Sequence, residues 1–402
     1  MKTDARKIAI VATLDSKGPE ASYLRDGLQD RGREVCVIDV GTAGEPDFAG
    51  EISRDQIAAR VCSDALLQGP AEALSAMAES ARGIITELVS NDEISAIVGV
   101  AGGKGAGVFN QITRDLPFGF PKVLVTSGRP PLLAEIATTS DTILMPTLVD
   151  LFGLNQFTRA VLDNAIAAAS GLNWTPVAEK DGPMVAITAF GVTTSAVQSV
   201  KTRLEKAGIT AIVFPANGAG GRTMESLIEK GSFDGVIDLT TTELADHLLG
   251  GTSSAGEARL TAAGRLGIPQ AIAPGATDMA NFGAPETVPD RFADRVTYRH
   301  TPMTTLVRTT PKDTAEIGRM TAARLNKASG PVAVFWPGLG VSDYDKPGNP
   351  FHDPVANIAW RDEMKATLHH DIAFTETDYH INDPAFADLC ADWMIDQLKV
   401  AT

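Results

Sequence analysis

The stretch Ser95-Ala-Ile-Val-Gly-Val-Ala-Gly-Gly-Lys-Gly-Ala-Gly107 decides how the chain is read. An apolar run enters a segment with four glycines in six residues and one lysine, Lys104. A helix-compatible segment follows. This is the order of a buried parallel strand, a glycine loop and a helix. Glycines let backbone N–H groups come close to an anion, and a helix start adds its positive dipole end. Gly102, Gly103, Lys104, Gly105 and Gly107 are therefore candidate phosphate ligands. The Walker pattern is not met. Only three residues separate Gly99 from the Gly103-Lys104 pair, and Gly105 stands where Ser or Thr is required. A plain strand-to-helix turn has the same look.

Working outward, the same plan appears twice. Lys7–Thr13 reads as a strand, Leu14–Pro19 as a loop, and Pro19 opens a helix that Arg31-Gly32 ends. Glu34–Val40 is the next strand. Ser53–Ser90 is helical, capped by Ser53 and divided at Gly69-Pro70. Leu74, Met77, Ala78, Ala81, Ile85 and Leu88 form a core-facing stripe. Lys122–Thr126 and Thr142–Met145 are further strands. After a linker at Gly171–Pro183, Met184–Thr188 restarts the pattern, and Ala211–Phe214 follows. The offset from Ile8 to Val185 is 177 residues, and from Val35 to Ala211 it is 176. Thr142–Thr147 pairs with Val296–Met303 in this comparison. The expected fold is α/β: two Rossmann-like domains with mostly parallel sheets, residues 1–178 and 179–402, related by internal duplication and facing across a cleft.

The chain has 402 residues, 44% hydrophobic and 21% charged, with a formal charge of −15. Such an acidic balance disfavours nucleic acid and anionic lipid as partners. Cys36, Cys62 and Cys390 lack metal-type spacing and read as reduced thiols. With no signal-peptide pattern and no long apolar run, a cytoplasmic protein without a membrane span is expected.

Other strand-end loops carry chemistry. Thr13, Asp15 and Lys17 follow the first strand; Asp15 can hold Mg²⁺ through water and Lys17 can meet a phosphate. Asp39 would suit a dinucleotide fold, but the required glycines are missing, which disfavours NAD. A second glycine segment, Gly218, Gly220, Gly221 and Arg222, is a candidate anion or substrate site, with Thr241, Thr242 and Asn281 as polar contacts. Close helix-on-sheet packing explains the same glycines. Asp278 and His300 are candidate acid–base residues; for His300 a hydrogen-bonded core histidine is the reading preferred over a general base. Asp343, Asp345, His352 and Asp353 lie along a long Gly/Pro loop, as a hard-metal or acid–base cluster or as ordinary loop solvation. Gly-x-Ser-x-Gly, His-Glu-x-x-His and Cys-x-x-Cys are absent, which leaves hydrolase triads and zinc without support.

Several stretches together resemble one family. They are Ala12-Thr-Leu-Asp-Ser-Lys-Gly-Pro-Glu20, Phe190-Gly-Val-Thr-Thr194, Asn217-Gly-Ala-Gly-Gly-Arg222, Thr240-Thr-Thr-Glu243, Gly275-Ala-Thr-Asp-Met-Ala-Asn-Phe-Gly283 and Leu306-Val-Arg-Thr-Thr310. The chain is similar, over nearly its whole length, to the largely uncharacterised bacterial and fungal family related to the N-terminal, ATP-binding domain of the tomato tobamovirus-resistance protein. The resemblance implies a two-subdomain α/β fold, ATP with Mg²⁺, and a homodimer or higher homo-oligomer. In the plant protein this domain inhibits viral RNA replication; bacterial relatives are regarded as metabolic proteins of unknown reaction. Lys104 stands where the family carries a serine, and Thr126–Pro131, which includes the candidate contact Ser127, also departs from the family pattern. Two functions are carried forward. One is ATP–Mg²⁺ binding on the strand-end loops of the expected inter-domain cleft, with Gly102–Gly105 taking phosphates and Thr13 and Lys17 beside them. The other is an enzyme for a small anionic metabolite, held by Gly220, Gly221 and Arg222 and worked on by Asp278 or His300. A protein-interaction module without chemistry is the third reading.

Overall fold

The computed structural model describes residues 5–61, 69–176 and 182–399. It divides into two units, Met1–Glu179 and Lys180–Thr402. Cys62, the middle of the linker and the expected junction at 178/179 lie outside the described residues.

Unit 1 is built on a parallel sheet of β1 (Lys7–Ala12), β2 (Val35–Asp39), β3 (Ile94–Ala101), β4 (Lys122–Thr126) and β5 (Ile143–Pro146). The strands lie in the order β2-β1-β3-β4-β5. β1 to β4 are near-continuous apolar runs because both sheet faces are covered. Alternate residues serve opposite cores. Ile8, Ile10 and Ala12 pack with Leu24 and Leu28 of the helix Leu14–Gln29 and Ile166 of the helix Gln156–Gly171. Ala9 and Val11 face the other core, with Met77 and Ile85 of Pro70–Ser90 and Phe109 of Gly103–Thr113. Gly99 makes that second packing possible: a Cβ there would stand 2.4 Å from the Phe109 ring. The helices after β1 and β3 thus leave toward opposite faces. The crevice between the ends of β1 and β3 is the switch point of the sheet, where ligands of such folds bind.

Two loops expected from the sequence are shorter in the structure. The segment Leu14–Pro19 is already helical, interrupted at Lys17 (φ −129°, ψ 20°). Pro19 follows the interruption, where a missing N–H costs nothing. The glycine loop of β3 shrinks to Gly102, the N-cap; Gly103, Lys104, Gly105 and Gly107 all belong to the helix.

Unit 2 repeats the order of unit 1 and adds a strand. β6 (Met184–Ala189), β7 (Thr210–Pro215), β8 (Gly235–Thr240), β9 (Gln270–Gly275), β13 (Val332–Pro337) and β14 (Ala373–Thr377) lie as β7-β6-β8-β9-β13-β14, all parallel. Between β9 and β13 sits a small antiparallel sheet, β10 (Met279–Phe282), β12 (Thr304–Arg308) and β11 (Thr297–Thr301), ordered β10-β12-β11. This corrects one pairing of the duplicated plan. The counterpart of β5 is β13, not the segment 296–303. That segment holds an exposed hairpin strand at the edge of the small sheet, Thr297–Thr301. The helix after β7 runs Ala219–Glu229, so Gly220 and Gly221 lie in its first turn. Cys36 and Cys390 are buried free thiols, and burial raises both above the usual thiol range. No helix among the described residues is long and apolar enough to cross a membrane.

Candidate functional site

In unit 1 the candidate residues gather at the carboxyl ends of β1, β3 and β4. Thr13 caps the first helix and shares a hydroxyl contact with Ser16 (2.8 Å). Lys17 Nζ donates to the Leu151 carbonyl (2.5 Å), and Ser127 Oγ donates to Asp150 Oδ1 (2.9 Å). Ser127 Oγ also stands 3.9 Å from where a Gly102 Cβ would be. The helix Gly103–Thr113 begins with no side-chain cap. Gly103 and Lys104 are exposed. A Cβ on Gly103 or Gly107 would meet nothing within 4 Å, whereas Gly105 is needed for close approach to Ala101 (2.9 Å). The first-turn N–H groups of this helix are therefore open to an anion, with Lys104 beside them.

These residues fit phosphate better than a protein-held Mg²⁺. Asp15 Oδ2 already accepts from Ala43 N (2.9 Å) and lies 4.0 Å from Arg54 Nη1. Asp39 Oδ1 accepts from Leu14 N and Gly41 N. No group of three or more His, Cys, Asp or Glu among the described residues is arranged to hold a metal. The same holds for Asp343, Asp345, His352 and Asp353. Asp345 is taken up by Val341 N, Asn357 Nδ2 and Asp353 N. Asp353 caps the helix Pro354–Thr367, and Asp343 pairs with Lys346.

The second glycine segment is filled from within. Gly218 N and Gly221 N both donate to Glu243 Oε1 (2.8 and 3.2 Å), and Gly220 N donates to Asn217 Oδ1. Arg222 Nη1 holds the Ser254 carbonyl. Thr241 Oγ1 bonds Ala273 O, Thr242 Oγ1 reaches Met279 O at 3.5 Å, and Asn281 bonds Asp246. The anion at this helix start is the chain's own Glu243. Glu243 is held in turn by Arg259, whose buried guanidinium also meets Asp238 and Glu225. Arg259 escaped sequence reasoning because nothing in Gly-Glu-Ala-Arg-Leu marks a buried cation.

Asp278 stands apart. It lies just past β9, fully buried, with Oδ2 accepting from Ser342 Oγ (2.7 Å) and Oδ1 without a partner. Burial pushes it up to about 7; Arg308 opposes that rise and the Asp345 charge adds to it. Arg308 spends its donors on Phe351 O, Asp278 O and Thr309 Oγ1. His380 closes the cluster, accepting from Asn382 N at Nδ1 and so donating from Nε2 to Ser342 O. Its pKa is lowered by burial. His300 is not a core residue. It is exposed on β11 and bonds Tyr344 Oη through Nδ1 (3.0 Å). Tyr344 N in turn donates to Ser342 Oγ, so one residue links His300 to the Asp278 cluster. Two surface cavities of unit 2, of about 290 and 390 Å³, are lined by other residues, among them His369 with Trp393 and Arg203 with Asp392.

Comparison with known proteins decides the family. The model described as the "Uncharacterised protein family (UPF0261) N-terminal domain" matches residues 6–176, and that for the C-terminal domain matches residues 182–398. The chain belongs to the UPF0261 family. A UPF0261 protein of Rhizobium meliloti (strain 1021) is 38% identical over 390 residues, covering 95% of this chain and 97% of that one. One from Clostridium tetani is 36% identical, covering 98% and 99%. The tomato ToMV resistance protein Tm-1(GCR237) is 32% identical over 97% of this chain, which corresponds to 56% of the tomato protein. The Tm-1-like resemblance read from the motifs is thus a UPF0261 relationship spanning both units.

Proposed function

We propose that this UPF0261 protein binds the phosphates of a nucleotide, ATP, at the β1/β3 switch point of unit 1. The observation that carries the reading is the uncapped, exposed first turn of Gly103–Thr113 with Lys104 on it. Gly102–Gly105 and Lys104 would take phosphate oxygens. Thr13, Lys17 and Ser127 border the same crevice. Arg129, exposed at the N-cap of the helix Pro130–Thr139, adds a cation that sequence reasoning overlooked. Mg²⁺, where present, would ride on the phosphates.

Calorimetric titration of ATP, with and without Mg²⁺, tests this. Lys104→Ala is expected to weaken binding about tenfold or more, which is about 1.4 kcal/mol. Lys104 is exposed on a helix, so the variant folds. No heat with the wild-type protein overturns the reading.

A second reading, chemistry on a small anionic metabolite, is favoured by the orphaned Asp278 Oδ1. A buried carboxyl near neutrality with a hydroxyl partner suits an acid–base role. Thermal stabilisation by phosphorylated or carboxylate metabolites, lost in Asp278→Ala while the fold is kept, would support it.

A further inference from the structure

The segment between β5 and the helix Gln156–Gly171 is fixed along its length. Thr147 N donates to Thr126 O (3.0 Å), Asp150 receives Ser127, the Leu151 carbonyl receives Lys17, and Gly153 N donates to Glu20 Oε1 (2.9 Å). Asn155 then caps the helix. Asp150 touches the end of β4, and its chain neighbour Leu151 touches the turn after β1. Those two strands flank β3 on either side, each about 4.8 Å away. The segment therefore crosses the end of β3, where Gly102 opens the anion-facing helix. It forms a strap over the crevice.

This strap displays two large apolar side chains. Leu148 is 95% exposed and Phe152 90% exposed. Leu148 also has φ +57°, a left-handed backbone that a bulky residue adopts only when its surroundings impose it. Polar residues would serve a solvated crossing better. Phe152 follows Leu151 directly, one residue from the carbonyl that holds Lys17. An aromatic ring on a fixed strap beside a phosphate site supplies what phosphate donors cannot, a flat apolar surface.

We propose that Phe152, on the same strap as Leu148, is the platform on which the planar base of the ligand stacks. The ligand class is then a nucleotide, and phosphorylated metabolites without a base fall outside it. The assignment rests on the phosphate site proposed above. It adds a specificity residue to that site, because stacking depends on a π-face and phosphate binding does not.

The test compares ATP with inorganic tripolyphosphate by calorimetry on the full chain. Wild type is expected to bind ATP more tightly than tripolyphosphate. Phe152→Ala, a change at an exposed position, is expected to weaken ATP about fivefold or more and to leave tripolyphosphate unchanged. Lys104→Ala is expected to weaken both. Tripolyphosphate binding with no advantage for ATP, or equal ATP binding by Phe152→Ala and wild type, overturns the platform while the phosphate site stands. Binding of neither probe overturns the phosphate site and the platform with it. A change in sedimentation of Phe152→Ala with ATP affinity intact assigns the ring to a second copy of the chain and also overturns the proposal.

Discussion

Arg259→Leu is expected to remove much of the stability of unit 2. The guanidinium is 1% exposed and meets three carboxylates: Glu243 through Nε (2.5 Å), Asp238 through Nη2 (2.5 Å) and Glu225 through Nη1 (3.2 Å). Removing this guanidinium takes from three buried acids the cation that all of them meet. Loss of one partner of a buried pair costs about 3–5 kcal/mol, against a total stability of about 5–15 kcal/mol for a domain. The effect reaches the helix Ala219–Glu229, since Glu243 holds its start. Urea unfolding followed by tryptophan fluorescence reads this out. Trp336, Trp360 and Trp393 lie in unit 2, and Trp174 lies in unit 1. The deficit should shrink as pH falls. Burial already raises Glu225, and without Arg259 the charge that opposes this rise is gone; its neutral form tolerates burial. An unfolding midpoint equal to that of wild type would show that the cluster contributes nothing.

Asp278→Asn is expected to stabilise the protein above pH 7. The carboxyl rises from the usual 3.8 to about 7, chiefly through burial. A raised acid binds its proton more tightly in the folded state. Its contribution is complete below about pH 4 and is lost as pH climbs to about 7. At pH 8 the folded chain carries a buried charge that Arg308 compensates only in part. A tenfold gain in proton affinity on folding corresponds to about 1.4 kcal/mol, so the asparagine variant should gain a few kcal/mol at pH 8 and little at pH 4. Asp246, raised by burial to about 6, adds to the same slope in wild type. Melting temperatures of both proteins at these two pH values check the prediction. A parallel pH profile would place the titration elsewhere.

Much of the fold was legible because parallel strands buried on both faces leave continuous apolar runs, and β1, β3, β4 and β6 carry them. The repeated order was legible for the same reason. What misled was polarity without context. The segment 296–303 matched a sheet strand by its position in the repeat, but Arg299 and His300 stand on a hairpin strand in solvent. Gly102–Gly107 and Gly218–Gly221 look alike in sequence and differ in what answers their N–H groups. In the second case Glu243, 22 residues beyond Gly221, supplies the anion. No local pattern reveals such a partner. Phe152 went unread because exposure of an aromatic ring is a property of the folded strap. Asp278 was visible as an acid after a strand, and only burial made it unusual.

A chain assembled from two copies of one plan invites the expectation of two equivalent sites. The third strand of each sheet shows why the copies differ. After β3 the helix starts at exposed Gly103 and Lys104, whereas after β8 the helix Thr242–Leu249 starts at Thr242 and Glu243, both fully buried. One half would meet the proposed ligand from outside; in the other, Glu243 of the third-strand helix is turned to the Gly218 and Gly221 N–H groups at the neighbouring helix start. Saturation is accordingly expected at one nucleotide per chain, because the unit 2 counterpart of the unit 1 helix start is buried.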